Sequence, residues 1–244
     1  MRRSRVYTTR MLAVGDSIAL EQRVAHYLSR VLRLGGGDEI TLFNGDGRDY
    51  PAVLRRDRRG DLCAGITGSV EPASESPLAI TLVQATGRGE RMDHALQKAT
   101  ELGVARIQPL TSERVGVKLD SKKRGRRLEH WQGVVISACE QSGRATVPRV
   151  LPLIGLEKWL REGRPALRLV LDPQAVQPLS AVEPADGSVA IVIGPEGGFS
   201  DREIEAMRAA GVKPVSLGPR VLRTETAGPA AIAVLQALAG DFKA

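Results

Sequence analysis

Cysteine is scarce in this chain: Cys63 and Cys139 are the only two among 244 residues. They lie far apart and outside any C-x-x-C or Cys/His ligand spacing, which excludes a disulfide framework and a thiolate zinc site. That usage fits a reducing, cytoplasmic setting. Histidine is nearly as rare. His26, His94 and His130 show no ligand-like spacing, so neither a metal nor a histidine-based triad is expected. Aromatic residues are 3% of the chain, too few for base stacking to dominate contact with a nucleic acid. No run approaches the roughly 18 apolar residues of a membrane span, and the basic N-terminus is not followed by an apolar signal segment. Membrane insertion and secretion are therefore not expected, and there is no internal repeat or low-complexity tract.

Fingerprints of conventional nucleotide enzymes are missing as well. The glycine-rich stretch Gly194–Ser200 has neither the G-x-G-x-x-G spacing of a dinucleotide site nor the Gly-Lys-Ser/Thr ending of a phosphate loop. Ser142 and Ser200 sit beside glycines but outside a G-x-S-x-G nucleophile elbow.

What is present begins with charge. The net charge is +7, which suits a polyanionic partner whose phosphates lysine and arginine neutralise. The run Lys122-Lys-Arg-Gly-Arg-Arg127 reads either as a solvated helix start or as a contact for RNA phosphates. A 42% hydrophobic fraction is ample for packed cores in one large or two modest domains.

Two regimes follow one another. Up to Val70, a helical patch Glu21–Leu32 precedes strand-like Glu39–Phe43, Tyr50–Arg55 and Leu62–Val70. Asn44-Gly-Asp-Gly47 and Asp57-Arg-Arg-Gly60 between them carry hairpin chemistry, so this part reads as a small antiparallel barrel or meander. Glu71-Pro-Ala-Ser-Glu-Ser-Pro77 has the composition of a linker, and the domain boundary is placed there, giving domains 1–72 and 73–244. Beyond Pro77, strands and helices alternate: strands Leu78–Gln84, Ala105–Leu110, Ala166–Asp172, Val189–Ile193 and Pro214–Leu217, helices Arg91–Leu102, Lys123–Glu140, Asp201–Ala210 and Ala227–Leu238. Alternation of this kind predicts an α/β domain with a mostly parallel sheet. Met92, Leu96, Ala99 and Leu102 form one buried helical stripe, and Leu128, Trp131, Val135 and Ala138 another. The last helix is apolar nearly all round, which predicts burial on two sides, the second supplied by a partner subunit.

Two loops stand out in that second part. Strand-like Ser188–Ile193 empties into Gly194-Pro-Glu-Gly-Gly-Phe-Ser200, whose glycines leave main chain open to a ligand. Ser200 and Glu203 then have the spacing of a capping box. Leu217-Gly-Pro-Arg-Val-Leu-Arg-Thr-Glu-Thr-Ala227 likewise joins a short strand to a helix, and two such loops can wall one pocket.

Six motifs occur in order: Arg88-Gly-Glu-Arg-Met-Asp93, Gln97-Lys-Ala-Thr-Glu-Leu-Gly-Val104, Ser112-Glu-Arg114, Ala138-Cys-Glu-Gln-Ser-Gly-Arg144, Gly194-Pro-Glu-Gly-Gly-Phe199 and Leu217–Ala227. Together they closely resemble the bacterial small-subunit (16S) ribosomal RNA uridine-N3 methyltransferases of the SPOUT class, over nearly the whole chain. Arg5-Val-Tyr7, His26 and Arg30-Val-Leu-Arg33 extend the resemblance to the N-terminus. It implies a PUA-like RNA-binding β-barrel followed by a SPOUT domain with a C-terminal trefoil knot, S-adenosylmethionine as cofactor, no metal, and a homodimer. The implied substrate is small-subunit ribosomal RNA within the assembled subunit.

Carried onto this sequence, the implied cofactor walls are Leu171, Ile193, Gly194, Gly197, Leu217, Gly218, Leu222 and Thr224, with Glu196 shaping the loop. Arg223 is the cation expected at the reacting base, unless it pairs with Glu225. Either Glu225 or a water accepts the proton. Arg10, Arg33, Arg88, Arg91 and Arg144 are the residues expected at RNA. Lys98 and Glu101 share a helix face, and an internal ion pair between them is the alternative to a role at the site. Three other readings stay open: a conventional nucleotide-binding α/β enzyme, an RNA-binding module without chemistry, and a methyltransferase of the same class acting on another nucleotide.

Overall fold

The computed structural model describes residues 4–72, 75–87, 90–114, 121–163 and 165–242. Its contacts divide the chain into two compact units, Met1–Ser74 with Cys139–Val147, and Glu75–Ala138 with Pro148–Ala244.

In the first unit, β1 (Ser4–Tyr7), β2 (Ser17–Ala19), β3 (Glu39–Phe43), β4 (Tyr50–Arg56) and β5 (Leu62–Ile66) form a sheet of order β1-β3-β4-β5-β2. The three strands expected from the sequence pair antiparallel, and β2 adds to β5 in the same sense. The parallel pairing of β1 with β3 departs from the all-antiparallel expectation. Alternation decides which face is core: Ile40, Leu42, Ala52, Leu54, Ala64 and Ile66 point inward with Leu20, Val24 and Leu28. The helical patch is α1 (Gln22–His26) running into a π-helical turn, Tyr27–Val31. The stretch expected as strand through Val70 ends at Ile66, and Val70 returns only as a single bridge to Asp49.

β1 escapes sequence patterning because its arginine is buried. Arg5 pairs with Asp49 at 2.5 Å, donates to the Cys139 carbonyl and lies over the Phe43 ring. Phe43, Cys139 and Ala145 form a second small core with Tyr7 and Val147 at its edge. Glu140 accepts the Tyr7 amide at 3.0 Å. Burial raises the Glu140 carboxyl above its ordinary range, against the Tyr7 hydrogen bond and the charges of Arg23 and Arg5.

The second unit is a parallel sheet with covering helices, as expected. Along the chain come β6 (Ala79–Ala85), α2 (Arg91–Glu101), β7 (Arg106–Thr111), α3 (Ser121–Ser142), β8 (Arg149–Val150), β9 (Ile154–Gly155), α4 (Leu156–Glu162), β10 (Arg168–Leu171), β11 (Ser188–Ile193), α5 (Asp201–Ala209), β12 (Lys213–Val215) and α6 (Thr224–Ala239). The order is β12-β10-β11-β6-β7-β8, with β9 also on β7, and every pairing is parallel. Long apolar runs such as Val189–Ile193, fully buried, are what a sheet covered on both faces requires. β8, β9 and α4 lie outside the elements expected from the sequence: the strands are two residues each, and α4 is a short helix with Leu156 and Trp159 buried and Leu160 packed beside them.

α6 packs on α2, β6, β11 and the 3₁₀ turn Leu179–Ala181, with Ala227, Ala231, Ile232 and Leu235 buried. Elements of its own unit cover this face, while Ala230, Ala233, Val234 and Leu238 stay half-exposed. Gln236 is fully buried yet satisfied. Its amide donates to the Leu102 and Gly103 carbonyls and accepts from the Ser76 hydroxyl.

Arg168 plays a comparable part at the other edge. It is 8% exposed, stacks over Trp159 and donates to the carbonyl of Leu160 in α4 and to that of Ala210, which ends α5. Arg168→Met leaves both carbonyls without that donor, and we expect a loss of about 2–4 kcal/mol in urea unfolding. Glu140 gives a signed pH effect. A carboxyl raised in the fold binds its proton more tightly folded than unfolded, so its contribution to stability falls as pH rises from the ordinary glutamate range through the raised value. Glu140→Gln keeps an acceptor for Tyr7 and removes that decline; denaturation midpoints over pH should show the variant gaining on the parent as pH rises.

Candidate functional site

Strands β10, β11 and β12 end together at Leu171, Ile193 and Val215. The chain leaves β11, runs through α5, passes β10 and enters the sheet as β12 on the far side. Where the direction of succession across a parallel sheet reverses, the connections splay and leave a crevice at the carboxyl ends. A cavity of about 800 Å³ lies there, within the size range of small-molecule sites.

Most of the residues singled out in the sequence meet around it. Leu171, Ile193, Gly194, Leu217, Gly218, Leu222, Arg223, Thr224 and Glu225 all line the cavity, together with Arg91. Gly197 does not. Its carbonyl accepts from Arg114 at 2.7 Å, and a side chain there would face Arg114, so its neighbour Gly198 takes the place at the wall.

Sequence reasoning missed other lining residues: Asp172 and Gln174 after β10, Phe199, and Ile204, Glu205 and Arg208 of α5. Glu205 and Arg208 sit one helical turn apart, a signal visible in sequence but indistinguishable there from a solvated face.

The first loop is held at several points. The capping box of α5 forms: Ser200 accepts the Glu203 amide, and Glu203 accepts the Ser200 amide. The other Glu203 oxygen accepts the amide of Glu113 at 2.8 Å, while the Ser200 hydroxyl donates to the Glu113 carboxylate. This loop packs on itself, because a Cβ at Gly194 would lie 3.3 Å from the Phe199 ring. Glu196 pairs with Arg91, in keeping with a loop-shaping part.

The second loop turns at Gly218, with φ +78°, a left-handed conformation that side chains disfavour. It ends at α6, where the Arg223 carbonyl accepts the amides of Thr226 and Ala227. Thr224 joins the loops by donating its hydroxyl to the Gly194 carbonyl at 2.8 Å and accepting from Gln84 at 2.9 Å.

Arg223 and Glu225 do not pair, although both border the cavity. Arg223 is exposed. One carboxylate oxygen of Glu225 is shielded from solvent and has no partner among the described residues. A cation and a carboxylate thus face the same space without neutralising each other.

Of the arginines assigned to RNA, Arg10 and Arg33 are exposed in the first unit. Arg33 has φ +57° after the π-helical turn. Arg144 is half-buried and belongs to the first unit's Cys139–Val147 segment. Arg88 lies outside the described residues. The basic helix start is exposed from Lys123 to Arg126. Lys98 pairs with Glu101 at 2.8 Å. His130 meets Asp93 at 2.6 Å, a contact between helices that spacing did not suggest. Among the described residues, no group of three histidine, cysteine, aspartate or glutamate side chains could hold a metal ion, and no helix is long and apolar enough to cross a membrane.

Known proteins match this chain along its length. A family described as RNA methyltransferase domain matches residues 74–236, and one described as RNA methyltransferase PUA domain matches residues 20–63. A ribosomal RNA small subunit methyltransferase E of Buchnera aphidicola is 33% identical over 98% of this chain and 97% of its own length. One from Neisseria gonorrhoeae, solved bound to S-adenosyl methionine, is 41% identical, with a TM-score of 0.91 over 99% of this chain and 100% of that one. A Legionella pneumophila methyltransferase solved with the bound cofactor SAM is 40% identical, with a TM-score of 0.95 over 99% and 100% of the two chains. Agreement at this level, in sequence and in fold, covers both units and the loops that wall the cavity: the chain belongs to the RNA methyltransferase family whose members include ribosomal RNA small subunit methyltransferase E.

Proposed function

We propose that this protein transfers the methyl group of S-adenosylmethionine to N3 of a specific uridine in small-subunit (16S) ribosomal RNA within the assembled subunit. The observation that carries the reading is the convergence of Leu171, Ile193, Gly194, Leu217, Gly218, Leu222, Arg223, Thr224 and Glu225 on one cavity of about 800 Å³. The residues present suit that cofactor. Apolar Leu171, Ile193, Leu217 and Leu222 can cover its uncharged parts, and bare main chain at Gly194, Gly198 and Gly218 offers amides and carbonyls to its polar edges.

The cofactor, when bound, supplies an activated methyl on a sulfonium and needs no metal. The chain's own residues do the rest. The two loop walls align the acceptor with the methyl, which turns an encounter of two molecules into a step within one complex. Arg223 stabilises the negative charge that develops on O2 or O4 as N3 loses its proton. Glu225, with one oxygen shielded and unpartnered, accepts that proton.

In this reading residues 1–72 are a PUA-like RNA-binding β-barrel, an assignment supported by the family match within them. Residues 73–244 are a SPOUT domain with a trefoil knot. The placement of α6 against both the sheet and the β10–β11 connection is what threading the chain through its own loop requires. Arg10, Arg33, Arg88, Arg91 and Arg144 contact RNA. The protein acts in the cytoplasm as a homodimer, for which the half-exposed strip Ala230, Ala233, Val234 and Leu238 of α6 offers an apolar surface.

The direct test is incubation with methyl-labelled S-adenosylmethionine and small ribosomal subunits lacking uridine methylation, followed by mass spectrometry of the nucleosides. Labelled N3-methyluridine at one site is expected; label at another atom or base overturns the chemistry. Gly194→Val should weaken cofactor binding by about a hundredfold or more in calorimetry, because its branches collide with Phe199 and force the loop open. Arg223→Ala should lower kcat about 10²–10³-fold with cofactor affinity changed far less. Parallel loss of both would assign Arg223 to holding the fold.

A further inference from the structure

Gln84 is the last residue but one of β6, which is otherwise apolar from Leu82 through Ala85. It is 1% exposed and does not border the cavity, so it touches neither cofactor nor base. Its hydrogen bonds are directional. The Gly194 carbonyl can only accept, so the Thr224 hydroxyl must donate to it and is left needing a donor of its own. Among the described residues only the amide end of Gln84 supplies one, at 2.9 Å. The same nitrogen donates to the Ala85 carbonyl, which fixes the orientation of the group a second time.

The other end of the amide is left without a partner among the described residues. Burying an unpaired acceptor is unfavourable, and a leucine at this place in an apolar strand would avoid it. Packing holds the amide there. A Cβ at Gly228 of α6 would lie 3.3 Å from the Gln84 oxygen and 3.2 Å from Leu82, so α6 is seated on this side chain and on β6 with no room to spare.

We propose that Gln84 is a positioning residue that acts through Thr224. By satisfying the Thr224 hydroxyl it locks the start of α6, which carries Arg223 and Glu225, to the Gly194 carbonyl of the opposite wall. The separation of the two walls, and hence the affinity for S-adenosylmethionine, is set by this clasp. The inference rests on the reading of the cavity as the S-adenosylmethionine site.

The test is calorimetric affinity for S-adenosylmethionine, read well below each protein's melting temperature. Thr224→Val keeps the side-chain shape and removes the hydroxyl; Gln84→Leu removes the donor; Gln84→Glu sets an acceptor against the hydroxyl. Each should weaken binding about tenfold or more, the change expected when one buried hydrogen-bond partner is lost. Thr224→Ser, which keeps the hydroxyl, should retain most of the affinity. The Gln84→Leu/Thr224→Val double variant should be no weaker than the worse single, because both break one linkage.

A merely structural role would lower the melting temperature and leave the affinity of the folded protein unchanged. Folded Thr224→Val or Gln84→Glu with parental affinity overturns the clasp while leaving the cavity assignment intact. Additive losses in the double variant also overturn it. Absence of binding in the parent protein overturns the cavity assignment and the clasp with it.

Discussion

The two walls of the cavity meet at one exchange of hydrogen bonds: the Thr224 hydroxyl between the Gly194 carbonyl and the Gln84 amide. Both loops of the cavity end at this point. One begins at Gly194 as β11 finishes; the other finishes at Thr224 as α6 begins. Without a link between them, the two loops would have many accessible arrangements, and a ligand would have to order them at its own entropic expense. The threonine joins them through its bonds to the Gly194 carbonyl and to the buried Gln84 amide.

Polar side chains elsewhere fasten elements in the same manner. Arg5 ties β1 to Asp49 and to the carbonyl of Cys139, drawing a distant segment into the first unit's core. Arg168 gathers the ends of α4 and α5. Gln236 fixes α6 to the turn after α2 and to Ser76. Glu203 caps α5 and reaches the amide of Glu113 after β7. Each is buried, and each satisfies main-chain groups that a helix end or turn leaves open. Apolar packing gives the cores their cohesion, and these few polar contacts decide which segment meets which, because unlike apolar contact they are directional.

The cavity's electrostatics follow from what these fastenings leave over. Arg91 is committed to Glu196, and Arg114 to the Gly197 carbonyl. Arg223 and Glu225 border the cavity without pairing with each other. Groups of opposite charge held apart in one pocket can act on a substrate, whereas a paired cation and carboxylate would largely cancel. Helix geometry keeps them apart: Arg223 is the cap residue and Glu225 lies in the first turn of α6, so their side chains leave the axis in different directions.

The sequence by itself determined the alternation of strands and helices after Pro77, the three antiparallel strands before it, the buried stripes of α2 and α3, the capping box at Ser200 and the two loops that wall the cavity. These rest on periodicity and turn chemistry, which act over a few residues and are written locally. Only the tertiary structure decided what depends on partners far away in the chain. Pairing with β3 made β1 a strand around a buried arginine, and pairing with β7 made the two-residue strands β8 and β9. Cys139–Val147 belongs with the first unit, Gly198 rather than Gly197 lies at the wall, and α2, β6 and β11 cover one face of α6. Gln84 is the sharpest case: along the chain it is one polar residue at the end of an apolar strand, and its meaning arises only when the fold brings Thr224, 140 residues later, within hydrogen-bonding distance.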